Sequence, residues 1–278
     1  MLFTFNYPST AVHSCFRYRF KTENTFWSAC TGEPELSQIM KNIAAKSLAK
    51  SELTIDIQTI TQILPSLETG DFAVFYGDAS ISYLASMLCV KAQLPTQMGG
   101  LNSKVIFIDG GNRFRLYDTS KLAQLYRLNP TQVLKKISIA RAFTAYQMTS
   151  LIMDKLNQAV EATDAKIAVI SDIAGLFLDG EIADEESQAI YSQVVTYLTQ
   201  LAKEKQIIIA ATYPSHSASK RNASLQISTN TNAAIVASIR VNEHNRYFML
   251  QKHPRYVLGS AEFPQAYTTL PEFFGGCS

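Results

Sequence analysis

Gly77, Asp78, Ser80 and Ser82 are the residues whose types and spacing point to chemistry on a phosphate. They sit in GDFAVFYGDASISYLASMLCVKAQLP, residues 70–95. This stretch reads as a buried strand over Phe72 to Tyr76, a Gly-Asp turn, and a helix carrying Leu84, Met87, Leu88 and Val90. A strand, a tight loop and a helix N-terminus aim backbone amides at an anion. The full phosphate-cradling motif, G-x-x-x-x-G-K-[ST], adds glycines for close backbone approach and a lysine for the outer phosphates. Here the loop offers Ala79-Ser80-Ile81-Ser82-Tyr83: the first glycine precedes it, Ser82 supplies a hydroxyl that could reach a metal, and no lysine is present. Ser80 and Ser82 have a plainer reading as caps of a helix through Leu94. Asp172 ends the apolar run KIAVISD, and a strand-end acid in an α/β protein often caps the next helix.

The elements that would position these residues alternate. Apolar runs at 104–109 (KVIFID), 137–140, 166–172 and 207–211 are interleaved with helical patterns. The helices are expected over 119–125, where Asp118 and Thr119 would cap, over 131–136 behind the Asn129-Pro130 pair, and over 143–162 and 184–205. Continuous apolar strands between helices imply an α/β fold with a mostly parallel sheet covered on both faces. After Tyr213 the polar run 214–232 reads as a loop, followed by two β-type segments, 233–241 and 246–251. Upstream, residues 1 to about 30 form an aromatic arm, and Pro34 to Lys50 reads as a helix. The division is therefore an arm and helix over 1–55 and a core over 56–278.

The totals exclude several classes. A chain of 278 residues with 47% hydrophobic and 17% charged residues is a globular domain, not a disordered one. The formal net charge of +2 carries no broad electrostatic footprint for nucleic acid, so any DNA contact must be local. Cys15, Cys30, Cys89 and Cys277 form no C-x-x-C pair, which fits reduced thiols in a cytoplasmic protein better than a zinc site. No apolar run spans a bilayer, and the first residues lack a charged leader before an apolar block, so no membrane or secretory role is expected.

Residues 101–143, LNSKVIFIDGGNRFRLYDTSKLAQLYRLNPTQVLKKISIARAF, carry a resemblance. The stretch resembles the core of the archaeal and eukaryotic RecA-type recombinases, the RadA family and its paralogues such as RadB. That family has a strand ending YID, an acidic turn, TFRPERL, a helix, G-L-[DN]-P, and a strand ending ARA[FY]. The ETG at 68–70, the QLP at 93–95, AVISDIAGLF at 168–177, LQKHP at 250–254 and AEF at 261–263 fall in family order. The resemblance covers about residues 60 to 265. It implies a RecA-like ATPase core, mostly parallel with antiparallel C-terminal strands, and work in homologous recombination and DNA repair.

The departures from that family bear on activity. Matching back from Gln93-Leu94-Pro95 puts Ile81 where the phosphate-loop lysine belongs; counting forward from Gly77 puts Tyr83 there. Gly111 stands in place of the glutamate that activates water, and Tyr213 in place of the sensor glutamine. Phosphoryl transfer needs charge neutralisation and an oriented water. The resemblance therefore implies a recombinase paralogue that does not hydrolyse ATP. No cofactor is expected, and ATP with Mg²⁺ held by Ser82 and Asp172 is the alternative. The implied partners are a RadA-type recombinase or another paralogue, and single-stranded DNA. Two further readings stay open: an unconventional DNA-stimulated ATPase, and a RecA-fold scaffold in an unrelated complex.

Four surface features complete the reading. Lys220 and Arg221 lie where the recombinases place a DNA-contacting loop, or are two charges on a polar surface. The acidic run at 179–186 would repel a phosphate backbone. Phe26 and Ala29 in Phe26-Trp27-Ser28-Ala29 match the F-x-x-A pattern by which recombinase protomers join, or belong to an arm that packs on its own core. Arg240, Arg246, Lys252 and Arg255 read as a solvated basic face.

Overall fold

The computed structural model describes residues 50–78, 81–241 and 245–263, without the side chain of Gln58. The aromatic arm, most of the helix expected from Pro34 to Lys50, and the candidate residues Phe26, Ala29 and Ser80 lie outside them.

In chain order the elements are β1 (Glu52–Thr54), α1 (Gln58–Thr61), β2 (Ser66–Glu68), β3 (Phe72–Gly77), α2 (Ile81–Lys91) and β4 (Val105–Asp109). Then come α3 (Leu116–Leu125), α4 (Pro130–Lys135), β5 (Ile137–Arg141), α5 (Ala145–Ser150) and α6 (Leu156–Thr163). The chain continues with β6 (Ile167–Ser171), α7 (Asp184–Lys205), β7 (Ile208–Pro214), α8 (Lys220–Asn232), β8 (Ile235–Val241), β9 (Arg246–Lys252) and β10 (Gly259–Glu262). Eight strands form one sheet in the order β10-β9-β8-β3-β7-β6-β4-β5. Pairing is parallel from β8 through β5 and antiparallel at β8–β9 and β9–β10. This is a RecA-like α/β arrangement. The short β1 and β2 pair antiparallel on their own, so residues 52–54, placed with the arm on sequence, join a strand of the core.

Strand alternation builds two apolar layers, because successive side chains point to opposite faces. Val105 and Phe107 face the layer that contains α2 and α3, whereas Ile106 and Ile108 face α5, α6 and α7. With both faces covered, the strands read as unbroken apolar runs, which is why the sheet was visible in the sequence. Among the described residues no helix is long and apolar enough to cross a membrane.

Of four local expectations, one holds and three differ from the structure. The helix after the phosphate-type loop ends at Lys91, not Leu94. The helix expected from Asp118 begins at Leu116; Thr119 is buried and donates to the Arg115 carbonyl instead of capping. Asn129 does cap its helix, accepting from Gln132 N at 3.2 Å. The long helix expected over 143–162 contains a wider π turn at Leu151–Lys155 between α5 and α6.

The largest correction is 214–232. It is not a loop: Ser219 caps Asn222 N at 3.0 Å and α8 runs from Lys220 to Asn232. Its buried face is Asn222, Leu225 and Thr229, at spacings of three and four. It packs on α7 through hydroxyls and amides: Tyr191 Oη lies 2.6 Å from Thr229 Oγ1, and Gln188 Nε2 donates to Ser228 Oγ at 2.7 Å. A helix seated by hydrogen bonds carries little apolar periodicity to find.

Candidate functional site

The C-terminal ends of the parallel strands β3, β4, β6 and β7 bring the candidate residues to one edge, where α/β sheets place their ligand crevices. β3 ends at Gly77, and Ile81 N donates to the Asp78 carbonyl at 3.2 Å as α2 begins. Only three residues separate strand from helix. A Cβ on Gly77 would lie 2.5 Å from Ile81 Cγ2 and 3.2 Å from the Ile239 carbonyl oxygen, so this glycine is needed for close approach. Ile81 is fully buried in the core and Ser82 is 6% exposed. The Gly77 carbonyl accepts from both Ser215 N (2.8 Å) and Ser215 Oγ (3.1 Å), which joins this turn to the segment leaving β7.

Beside Ser82 opens a cavity of about 500 Å³, walled by Asn112, Arg113, Arg115, Tyr117 and Asp118. Burial, and then the charge of Asp118, push the Tyr83 phenol up to about 12, so it stays neutral next to this wall. A second cavity of about 300 Å³ lies across Gly77, between β3, β7, β8 and α8. There Tyr76 stacks on Tyr213 with centroids 4.8 Å apart. Tyr213 donates to Asn222 Oδ1 at 2.6 Å, and Tyr76 to Asn230 Oδ1 at 2.8 Å. Burial pushes both phenols up.

Asp172, 4% exposed, follows β6 in the left-handed region with φ +52°, which short polar side chains tolerate. Its Oδ1 accepts from Gly175 N at 2.9 Å and lies 3.0 Å from His216 Nε2; its Oδ2 lies 3.8 Å from an Arg113 terminal nitrogen. Its own N–H donates to Thr212 Oγ1 at 3.0 Å. Glycines crowd it: a Cβ on Gly111 would meet Asp172 Oδ2 at 2.8 Å, and one on Gly175 would meet Oδ1 at 2.7 Å. Of the two readings of Asp172, the cap is the one seen directly, at the turn that Gly175 enters. The neighbouring acid Asp109, fully buried at the end of β4, accepts from Arg113 N (2.8 Å) and from Arg141 through Nε and a terminal nitrogen, each at 3.1 Å. Among the described residues no three His, Cys, Asp or Glu side chains group to hold a metal ion.

The two basic candidates on α8 part company. Arg221 pairs with Asp184 and donates to the carbonyls of Asp179 and Ile182, so it ties the acidic turn to α8 with a side chain only 11% exposed. Lys220 is exposed in the first turn. The basic face also divides: Lys252 donates to the Asn230 and Thr231 carbonyls at the end of α8, and Arg255 pairs with Glu68 and Asp71 at 3.0 Å each. Arg240 and Val241 are exposed. Sequence reading missed Arg113 and His216; each stands among polar residues with no pattern to mark it, and only the fold brings both to Asp172.

A family model described as Rad51 matches residues 51–252. The chain belongs to the Rad51 family. It is 31% identical over 130 residues to the "DNA repair protein RAD51 homolog B" of Zea mays, covering 46% of this chain and 38% of that protein. It is 30% identical over 178 residues to the "Meiotic recombination protein DMC1 homolog" of Arabidopsis thaliana, covering 61% and 50%. With the "Meiotic recombination protein DMC1" of Saccharomyces cerevisiae it shares 29% identity over 134 residues, 46% of this chain and 39% of that one. The chain spans half or less of the length of these curated relatives. The Rad51 match includes β3 through β9 and therefore every described candidate residue, Gly77, Asp78, Ser82, Asp172, Lys220 and Arg221.

Proposed function

We propose that this Rad51-family chain is a non-hydrolysing paralogue that assists or regulates a RadA-type recombinase in homologous recombination and DNA repair. The observation that carries the reading is Ile81. The resemblance puts the phosphate-binding lysine at Ile81 when matched back from Gln93-Leu94-Pro95 and at Tyr83 when counted from Gly77; both side chains are buried, and Ile81 closes on Gly77 within the core. With Gly111 where the family has its water-activating glutamate, neither charge neutralisation nor water orientation is supplied by this chain alone. The relatives' names, a DNA repair protein and meiotic recombination proteins, support the pathway.

The surfaces support a partner. β5 is an edge strand of the eight-stranded sheet, with Ile139, Phe143 and Tyr146 exposed along and just after it. An exposed edge with apolar side chains is a template for strand addition by another chain. Single-stranded DNA is the second partner in this reading, with Lys220 as its local contact. The reading is tested by passing the purified full chain over an immobilised recombinase with an intact phosphate loop. Retention that is lost in Phe143→Asp supports it, and equal passage of both proteins opposes it.

The cavity beside Ser82 favours one variation, in which nucleotide is bound but not turned over. Arg113 and Arg115 line it, and the amides at the start of α2 lie next to it. Calorimetric titration with Mg-ATP separates the two: saturable binding means a nucleotide-sensing paralogue, and no binding at millimolar nucleotide means a site kept for its fold.

A further inference from the structure

Asp172 is the carboxylate that the family resemblance assigns to a metal ion, and nitrogen groups already surround it in this chain. His216 Nε2 lies 3.0 Å from Oδ1, which also accepts from Gly175 N at 2.9 Å. Oδ2 faces the Arg113 guanidinium at 3.8 Å. The ring of Tyr213 stands edge-on to the His216 imidazole, centroids 5.8 Å apart, and braces it. Magnesium demands about six oxygens at roughly 2.0–2.1 Å in an octahedron. What converges on Asp172 is nitrogen: an imidazole, a guanidinium and a backbone amide. A second acid at this edge, Asp109, is occupied by Arg141 and the Arg113 amide. The residues present therefore do not fit a divalent cation.

We propose that Asp172 is not a metal ligand in this chain and that Arg113 and His216 fill the cation's place, making a clasp. The clasp joins three segments: the turn after β4 through Arg113, the end of β6 through Asp172, and the run from β7 into α8 through His216. The glycines make it possible, since a Cβ at Gly111 or Gly175 would collide with the carboxylate at 2.8 or 2.7 Å. The same observation accounts for Gly111: a glutamate there and a clasped Asp172 compete for one space. This inference deepens the non-hydrolysing reading and rests on its assignment of Asp172 to the metal position.

The test uses Mn²⁺ as a paramagnetic probe, titrated into the full chain with ATP and followed by the loss of free-ion signal. Asp172→Asn preserves the shape and the oxygen that caps Gly175. The clasp predicts equal Mn²⁺ retention by wild type and Asp172→Asn; a tenfold or greater loss of retention in the variant overturns it. Hydrogen exchange supplies the second arm. His216→Ala is expected to speed exchange of amides 215–219 at least tenfold while β6 is unchanged, and unaltered exchange at 215–219 overturns the clasp. Phosphate release measured in the same samples keeps the two readings apart. Turnover without a metal held by Asp172 contradicts the non-hydrolysing reading alone, and a metal held by Asp172 without turnover contradicts the clasp alone.

Discussion

Ile81 and Gly77 are fitted to each other: Ile81 Cγ2 stands 2.5 Å from where a Cβ on Gly77 would lie, with the Ile239 carbonyl behind it. The turn between β3 and α2 is thereby built as a core contact. Gly77→Ala forces a shift in a packed layer and is expected to cost about 1–3 kcal/mol. Ile81→Lys, which places a lysine at one of the two positions the resemblance allows for it, buries an ammonium and is expected to cost at least about 3 kcal/mol. Denaturant unfolding checks both. Ile81→Lys folding at wild-type stability would mean that the turn opens easily and that the buried isoleucine is no barrier to phosphate.

Arg141 holds Asp109 through two nitrogens in the same corner. Asp109 is fully buried, and removing its partner leaves a charge with only backbone donors, Arg113 N and Phe114 N. Because the Arg141 side chain is 38% exposed, the expected loss for Arg141→Ala is about 2–3 kcal/mol, below the range for a fully buried pair. Equal stability of Arg141→Ala and wild type in urea would show that water replaces the guanidinium.

His253 gives the fold a dependence on pH. Its Nδ1 accepts from Arg255 N at 3.0 Å and Tyr256 N at 2.8 Å, and its ring stacks on Tyr256. Burial, and then the charge of Arg255, lower its pKa below the ordinary 6.5, with Asp71 opposing. The unfolded chain therefore binds the proton more readily than the fold. The His253 contribution is complete above pH 6.5 and is lost as pH falls through the lowered folded value. His253→Asn keeps a local acceptor and does not titrate. Between pH 7.5 and 5.0 the variant is expected to lose less stability than wild type, and parallel melting curves would refute the assignment.

Lys220 and Arg221 make different predictions although they are neighbours. Lys220→Glu is expected to weaken single-strand binding at low salt and to reduce the steepness of its salt dependence by about one phosphate contact. Arg221→Ala acts first on the acidic turn, whose Asp179 and Ile182 carbonyls it holds, and speeds exchange of amides 179–183. Unchanged affinity in Lys220→Glu would remove DNA from the list of partners of this helix.

How far the sequence could be read follows from what each element is made of. β4, β6 and β7 lie between two apolar layers, so their composition announces them, and the helix over 184–205 was legible because its acids and lysines sit at the right ends. α8 was not legible, since it is held to α7 by Tyr191–Thr229 and Gln188–Ser228 rather than by apolar burial. That no lysine stands between Gly77 and Tyr83 could be read directly. The nitrogen groups gathered on Asp172 could not, because Arg113, Asp172 and His216 come from three separate turns and meet only when β4, β6 and β7 lie side by side.

The most direct test of the non-hydrolysing reading is steady-state phosphate release from Mg-ATP by the full chain, with and without single-stranded DNA, beside Asp172→Asn. The account predicts background release in every case, identical for the two proteins. Release that DNA stimulates in the wild type and that Asp172→Asn abolishes would contradict it, and would make this chain an ATPase that works without the family's lysine.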